Sequence, residues 1–286
     1  MTNVKQHIDW ATTELIAAGV PNPRVDAEWL LAHLLGKRRD HVWTNGAKAL
    51  TDAERVAYEQ LVARRVRREP LQYIMGSQEF YGRSFRVTPA VLIPRPETEL
   101  LIDAALRCIP QALREGEPRF LDIGTGSGCM AITLALECPT AQIVAIDIST
   151  AALEVARDNA ARHDVADQIT FRHADCRDFR IDTPCDLVIA NPPYCPVDQW
   201  AALQPEVRDH EPAEAVLAGV DGLDFLRAIV KNAPAWIAPG GWLCVEVGDA
   251  HGEFVWQCID ATGAYNAPAL SKDYNGIERV VCARRQ

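Results

Sequence analysis

A strand that runs into three closely spaced glycines and then into an apolar helix leaves a chain few choices of fold. Phe120–Leu121–Asp122–Ile123 leads into Gly124–Thr125–Gly126–Ser127–Gly128, and Cys129–Met130–Ala131–Ile132–Thr133–Leu134 follows. Glycines let the backbone turn sharply and let a ligand come close with no Cβ in the way. The helix behind them presents unpaired N–H groups at its first turn. The next apolar run ends at Asp147, 19 residues after Gly128, where a carboxylate can accept both hydroxyls of a ribose. Strand, loop, helix and spaced acid together predict a nucleoside-binding unit rather than a tight turn alone.

The rest of the chain extends that unit. From residue 119 onward the spacing predicts strands over 119–123, 142–146, 169–173, 187–190, 241–247 and 279–283, with 265–269 a candidate for one more. Helices are predicted over 127–137, 150–163, 222–237 and 250–261. Such alternation implies a mostly parallel sheet covered by helices on both faces. Residues 1–75 show no strand pattern. Ile8, Trp10, Leu15 and Ile16 fall near one helical face, and Val25, Trp29, Leu30, Leu34 and Leu35 form a second run that stops at Gly36. Thr51 and Glu54 make a capping box for a third helix carrying Val56, Leu61, Val62 and Val66. Aromatics flank Gly82 in residues 79–87, which predicts a hairpin, and Arg95 sits in a stiff segment between Pro94 and Pro96. A chain of 286 residues has room for about two domains. The division is 1–75, 76–98 and 99–286, and the fold class is α/β with a small N-terminal helical bundle and a hairpin linker.

The spacing of the glycines bears on the ligand. NAD and FAD sites want G-x-G-x-x-G, and Cys129 stands where the third glycine should be. G-x-G-x-G after an acidic residue suits S-adenosylmethionine. Its methionine end is zwitterionic, so Asp122 is tolerable where a pyrophosphate would be repelled. A second motif, Asn191–Pro192–Pro193–Tyr194, ends the run 186–190. In a doubly wound sheet that run is the fourth strand, beside the first, and the two strand ends flank the ligand crevice. Asn191 then lies across from a sulfonium methyl. An NH₂ on a π system, in an amide or a nucleobase, is planar and poorly nucleophilic because its lone pair is delocalised. The Asn191 oxygen and the Pro192 carbonyl can each accept one of its N–H bonds, which favours the more tetrahedral, electron-rich transition state. The prolines hold the turn and add no competing N–H. Tyr194 offers a flat face to the substrate group. A sulfonium is already an activated donor, so orientation supplies most of the acceleration.

Charge and composition exclude several other classes. Residues 1–75 carry 11 Lys+Arg and 9 Asp+Glu, and the remainder 18 and 30, so +2 and −12 make up the net −10. An acidic body argues against broad capture of nucleic acid. The nine cysteines show no C-x-x-C pair and the histidines no metal-ligand spacing, so no metal is expected and the cysteines read as buried small apolar residues. No apolar run reaches the ~18 residues of a membrane span. The first ten residues lack a basic start followed by an apolar stretch, so the expected address is cytoplasmic, with no membrane partner. Arg64, Arg65, Arg67 and Arg68 read as a solvated helix end, or else as a docking patch for an acidic partner. Arg95 supports a pocket wall or pairs with Glu97 or Glu99. His210 and the segment 246–251 read as structural.

These strings resemble the release factor glutamine methyltransferase family (PrmC/HemK). The resemblance spans nearly the whole chain: IPRPETE at 93–99, LDIGTGSG at 121–128, AIDIS at 145–149, NPPY, EPAEAVLAGVDGLDFLR at 211–227 and DYNGIERVV at 273–281. NPPY alone also occurs in adenine-N6 and guanine-N2 methyltransferases. A sister family acting on a ribosomal-protein glutamine shares NPPY but differs at RPETE. The resemblance implies a Rossmann-like class I S-adenosyl-L-methionine-dependent methyltransferase domain, with donor contacts from Gly124, Thr125, Gly126, Ser127, Gly128, Asp147 and Asn191. It implies glutamine recognition by Asn191, Pro192, Pro193 and Tyr194, of which Asn191, Pro192 and Tyr194 are catalytic. A donor contact, often aromatic in the family, is implied at Cys176, with Asp175 as the alternative partner of the base. The implied substrate is the glutamine of the GGQ loop in peptide chain release factors, methylated on its side-chain nitrogen. The N-terminal helices would dock the body of the release factor, and no nucleic acid is a direct substrate.

Overall fold

The computed structural model describes residues 3–249, 251–266 and 268–286. The chain divides into two compact units, Met1–Ser77 with Gln204–His210, and Gln78–Leu203 with Glu211–Gln286. The first unit holds α1 (Val4–Ala17), α2 (Pro23–Leu35), α3 (Arg39–Thr44), α4 (Asp52–Val66) and α5 (Leu71–Met75). Capping boxes start its two longest helices. Gln6 N donates to Asn3 Oδ1 and Asn3 N to Gln6 Oε1, both at 2.9 Å, and Thr51 with Glu54 repeats the arrangement as expected. The buried face runs through Ile8, Ala11 and Leu15 of α1, Ala27, Leu30 and Leu31 of α2, and Tyr58 and Val62 of α4. Trp10, Ile16, Val25, Trp29 and Val56, expected inward, are exposed. The 8–11–15 stripe turns positions 10 and 16 away.

The basic run at the end of α4 is also not a solvated face. Arg65 is buried between Asp26 and Glu206, 2.8 Å from each, and Arg68 forks Glu206 at 2.8 and 2.6 Å. Glu206 lies on the helix Pro205–His210, which belongs to this unit although it comes late in the chain.

A hairpin of β1 (Ser77–Phe80) and β2 (Arg83–Arg86) follows, in the second unit from Gln78 onward. Tyr81 and Gly82 turn it, both left-handed at φ +52° and +68°, as a two-residue hairpin favours. Tyr81 is held there by Glu99, which accepts from its N–H at 2.8 Å. Then come α6 (Thr98–Cys108), α7 (Gln111–Arg114), β3 (Arg119–Ile123), α8 (Cys129–Glu137), β4 (Gln142–Asp147), α9 (Thr150–Arg162), β5 (Ile169–His173) and β6 (Cys185–Ala190). The Pro205–His210 helix is α10, and α11 (Asp224–Trp236), β7 (Ile237–Glu246), α12 (Gly252–Ala261), β8 (Ala269–Lys272) and β9 (Glu278–Arg284) complete the chain. The expected start of the last helix, Ala250, and Ala267 within the candidate strand 265–269 lie outside the described residues. The strand in that region is β8, and Tyr265 makes only an isolated bridge to Arg285.

The sheet runs β5-β4-β3-β6-β7-β9-β8. It is parallel from β5 to β7 and antiparallel at β9 and β8. This is the Rossmann-like α/β architecture that the alternating pattern predicts. Successive strand residues feed opposite cores: Phe120 and Leu187 pack on one face, Leu121 and Val188 on the other. From β3 the chain winds outward through β4 and β5, then returns to place β6 on the other side of β3. Ligands bind at the strand C-termini where such a reversal occurs. Among the described residues no helix is long and apolar enough to cross a membrane.

Candidate active site

The reversal between β3 and β6 leaves a cleft of about 760 Å³, mouth included, within the size range of nucleoside-sized ligand pockets. Gly124, at φ +71°, has nothing within 4 Å of where a Cβ would stand, so the loop offers bare backbone to the cleft it lines. Asp147 closes β4. Its Oδ2 accepts from Gly126 N and its Oδ1 from Ser149 N, both at 2.9 Å. Burial raises its pKa, and those N–H groups hold it down. The carboxylate therefore both shapes the glycine loop and lines the cleft.

Other expected donor contacts are absent from the lining, each for a local reason. Thr125 is buried, donating its hydroxyl to Asp122 Oδ2 at 2.7 Å. Ser127 is buried as well, its carbonyl accepting from Asn159 Nδ2 at 2.9 Å. Gly128, at φ +81°, lets two helices meet: a Cβ there would stand 3.1 Å from Ala156 Cβ on α9. Asp122 is fully buried beneath the loop, and burial pushes its carboxyl up to about 7.

The proline motif leaves the sheet beside this loop. Ala190 pairs with Ile123 of β3 on one side and Val245 of β7 on the other. Asn191, Pro192 and Pro193 line the cleft together with Gly124, Gly126 and Asp147. The loop after them is held to the segment that follows α10: Cys195 N donates to Val216 O and Ala218 N to Cys195 O, both at 2.9 Å. Asn191 Nδ2 donates to Thr98 Oγ1 at 3.0 Å, so the carboxamide oxygen turns the other way. Tyr194 does not line the cleft. Its ring sits over Gly248, where a Cβ would come within 2.8 Å of Cδ2. Burial pushes its hydroxyl up to about 12, so it stays protonated and serves to hold the loop. Glu246 ends β7 nearby and is 2 % exposed. Burial pushes its carboxyl up to about 7.

Cys176 lines the cleft, and Asp175 is not in its lining. Its carboxylate is forked by Arg177, with Nε at 2.9 Å from both oxygens and Nη2 at 2.5 Å from Oδ2. The sequence reading missed Phe225, which shares the lining with Cys176 and carries the Arg177 guanidinium 5.6 Å from its ring centroid. It also missed Ile148, Glu214 and the Ala90–Val91–Leu92 stretch. Arg95 pairs with neither Glu97 nor Glu99. It meets Glu211 at 2.5 Å, and Glu211 also accepts from Ile93 N at 3.2 Å. The strings at 93–99 and 211–227 are thus joined through one carboxylate. Among the described residues no lysine or arginine lines the cleft, while Asp147 and Glu214 do. That set suits a cationic or zwitterionic ligand and repels a pyrophosphate.

Away from the cleft, the Sγ atoms of Cys108, Cys244 and Cys282 lie within 4.8 Å of one another. Sequence spacing could not show this, because they come from α6, β7 and β9. Burial raises the Cys244 thiol far above its usual value; Cys244 and Cys282 lie in the sheet core, and Cys108 packs against it.

The chain is similar to known proteins over nearly its whole length. A family model described as PrmC N-terminal domain matches residues 6–76, and one described as methyltransferase small domain matches 99–203. The release factor glutamine methyltransferase of Geobacter sulfurreducens is 44 % identical over 281 residues, covering 98 % of this chain and 96 % of that one. The protein of the same name from Koribacter versatilis is 41 % identical over 284 residues, covering 99 % and 98 %. Among solved structures, a ribosomal protein L11 methylase from Lactobacillus delbrueckii subsp. bulgaricus superposes with a TM-score of 0.51 at 16 % identity. It covers 73 % of this chain and 90 % of that one, a likeness of fold.

Proposed function

The chain belongs to the release factor glutamine methyltransferase family, and on that premise we propose that it methylates the side-chain nitrogen (N5) of the glutamine in the GGQ motif of peptide chain release factors, with S-adenosyl-L-methionine as donor. The observation that carries this reading is the placement of Asn191 and the open face of Gly124 in one cleft. The residues present fit the donor. Bare backbone at Gly124, the Asp147 carboxylate, the apolar Ile148 and Phe225, and the lack of cleft lysine or arginine among the described residues match a nucleoside with a sulfonium and an ammonium group.

When bound, the donor supplies a methyl carbon on positively charged sulfur, which leaves as a neutral thioether. Everything else falls to the protein. The Asn191 oxygen and the Pro192 carbonyl each accept one N–H of the substrate amide and so aim its lone pair at the methyl carbon. As the N–C bond forms, positive charge passes to nitrogen, and the two oxygens stabilise it until one N–H proton leaves to solvent. Asp147 holds the ribose end, and Phe225 with Cys176 flanks the base. Pro192 and Pro193 keep the acceptor pair rigid. The helical unit docks the body of the release factor, and the protein works in the cytoplasm, where translation terminates.

The test is transfer of labelled methyl to a purified release factor, followed by peptide mapping. Label confined to the glutamine of the GGQ peptide is expected. Label on RNA or on a ribosomal protein, with none on that glutamine, overturns the substrate assignment.

A further inference from the structure

Cys108, Cys244 and Cys282 do not line the cleft, and methyl transfer asks nothing of them. They come from three elements. Cys244 of β7 and Cys282 of β9 are direct partners across the antiparallel pair, so both side chains fall on one face of the sheet. That is the face α6 covers: Leu101, Ile102 and Ala105 share its core with Cys244 and Cys282. Cys108, the last residue of α6, brings a third sulfur to the same point. The Sγ atoms of Cys282 and Cys244 are 3.0 Å apart, and all three sulfurs lie within 4.8 Å of one another. Among the described residues no histidine or carboxylate joins the group.

We propose that these three cysteines form a buried binding site for a soft, thiophilic metal ion, with monovalent copper the ion that fits. Thiolate sulfur selects soft ions over magnesium, calcium and manganese, which want oxygen. A structural zinc site takes four ligands, whereas monovalent copper is satisfied by three sulfurs. Sulfurs held about 2.3 Å from an ion, the usual metal–thiolate distance, stand about 4 Å apart when three surround it in a plane, so side-chain shifts of about an ångström close the trio on it. Burial disfavours a bare thiolate, as it does at Cys244, but an ion that coordinates a thiol removes its proton outright. Each proton goes to solvent past Cys108, which is half-buried where the other two are buried, and the ion enters by the same side. Arg107 adjoins Cys108, and its positive charge bears on Cys282 as well, which offsets part of the negative charge that thiolates leave around a monovalent ion. Ligands drawn from three separate elements leave no spacing to read, so the sequence argued against a metal.

The proposal stands apart from the methyl-transfer reading, and so does its test. The fully reduced protein is titrated, without oxygen, against the coloured complex of monovalent copper with bicinchoninate. The wild type should withdraw one copper per chain and show a sulfur-only coordination shell in X-ray absorption. Cys108→Ser, at the half-buried member, should weaken uptake by more than the roughly ten- to hundredfold that loss of a supporting contact costs a metal site. Cys258→Ser, at a half-buried cysteine of α12 outside the trio, should match the wild type. Copper-loaded wild type should unfold at higher urea than the unloaded protein, and Cys108→Ser should show no such shift. The proposal is overturned by a wild type that takes up no copper, by oxygen or nitrogen in its coordination shell, or by equal uptake in Cys108→Ser. Zinc taken up in preference to copper overturns the choice of ion. Stoichiometry and coordination shell are read on the wild type, so they decide the matter even where a variant fails to fold.

Discussion

Asn191 and Phe225 line one cleft and do different work there. Asn191→Ala removes the proposed acceptor for the substrate amide while the glycine loop and Asp147 remain. Methyl transfer should be lost, and donor affinity measured by calorimetry should stay within about tenfold, roughly 1.4 kcal/mol. Phe225, proposed to flank the base, is tested by Phe225→Ala. Loss of an aromatic surface beside a base costs about 1–3 kcal/mol, so donor affinity should fall about tenfold or more, with Phe225→Tyr close to wild type. Equal donor binding by Phe225→Ala and wild type would move the base elsewhere. The two residues also differ in how far the sequence exposes them. A lone carboxamide ending an apolar run and backed by two prolines has no structural need to be there, so Asn191 stands out. A phenylalanine at the start of an amphipathic helix is what any core would accept. Only the missing aromatic at Cys176 hints that a ring must come from another segment.

The glycine loop, taken as an element, rests on a buried carboxyl as well as on its glycines. Burial pushes the Asp122 carboxyl up from the ordinary carboxylate range to about 7. The folded state therefore binds this proton more tightly than the unfolded chain does. Below about pH 4 both states hold it. As pH rises the unfolded state ionises first and gains, until the folded carboxyl ionises near 7, beyond which the loss is constant. Asp122→Asn keeps an acceptor for Thr125 and cannot ionise. Its stability relative to wild type should climb between pH 4 and pH 8 by on the order of 3 kcal/mol, read from urea unfolding; a pH-independent difference would contradict this. The elements that periodicity located well are those with a buried side, such as β3 and β4. It missed the start of β7, because Ala238–Pro239–Gly240–Gly241 has the composition of a turn. It misplaced β8, an edge strand whose Ser271 and Lys272 give no apolar alternation to detect.

At the scale of the whole molecule, the order of units along the chain is not their order in space. The helical unit borrows α10 from beyond residue 200, and Glu206 on that helix meets two arginines of the α4 run. No local reading of 64–68 could find a partner some 140 positions away, which is why that run looks like a solvated surface. Arg65 is too deeply placed to regain water if Glu206 is lost. Removing one member of a buried ion pair costs about 3–5 kcal/mol. Glu206→Ala in the full chain should lose about that much in chemical denaturation, and Glu206→Gln less. A change near zero would mean Asp26 suffices for Arg65.

The borrowed helix also sets a timetable. Ribosomes add roughly 5–20 residues per second, so the N-terminal bundle, fully synthesised early, waits roughly ten seconds for its final piece to emerge. During that interval two guanidinium groups lack their shared counter-ion. The nascent bundle is thus an unfinished intermediate that depends on later translation, and a gene fragment encoding only the first seventy-seven residues would freeze it in that state.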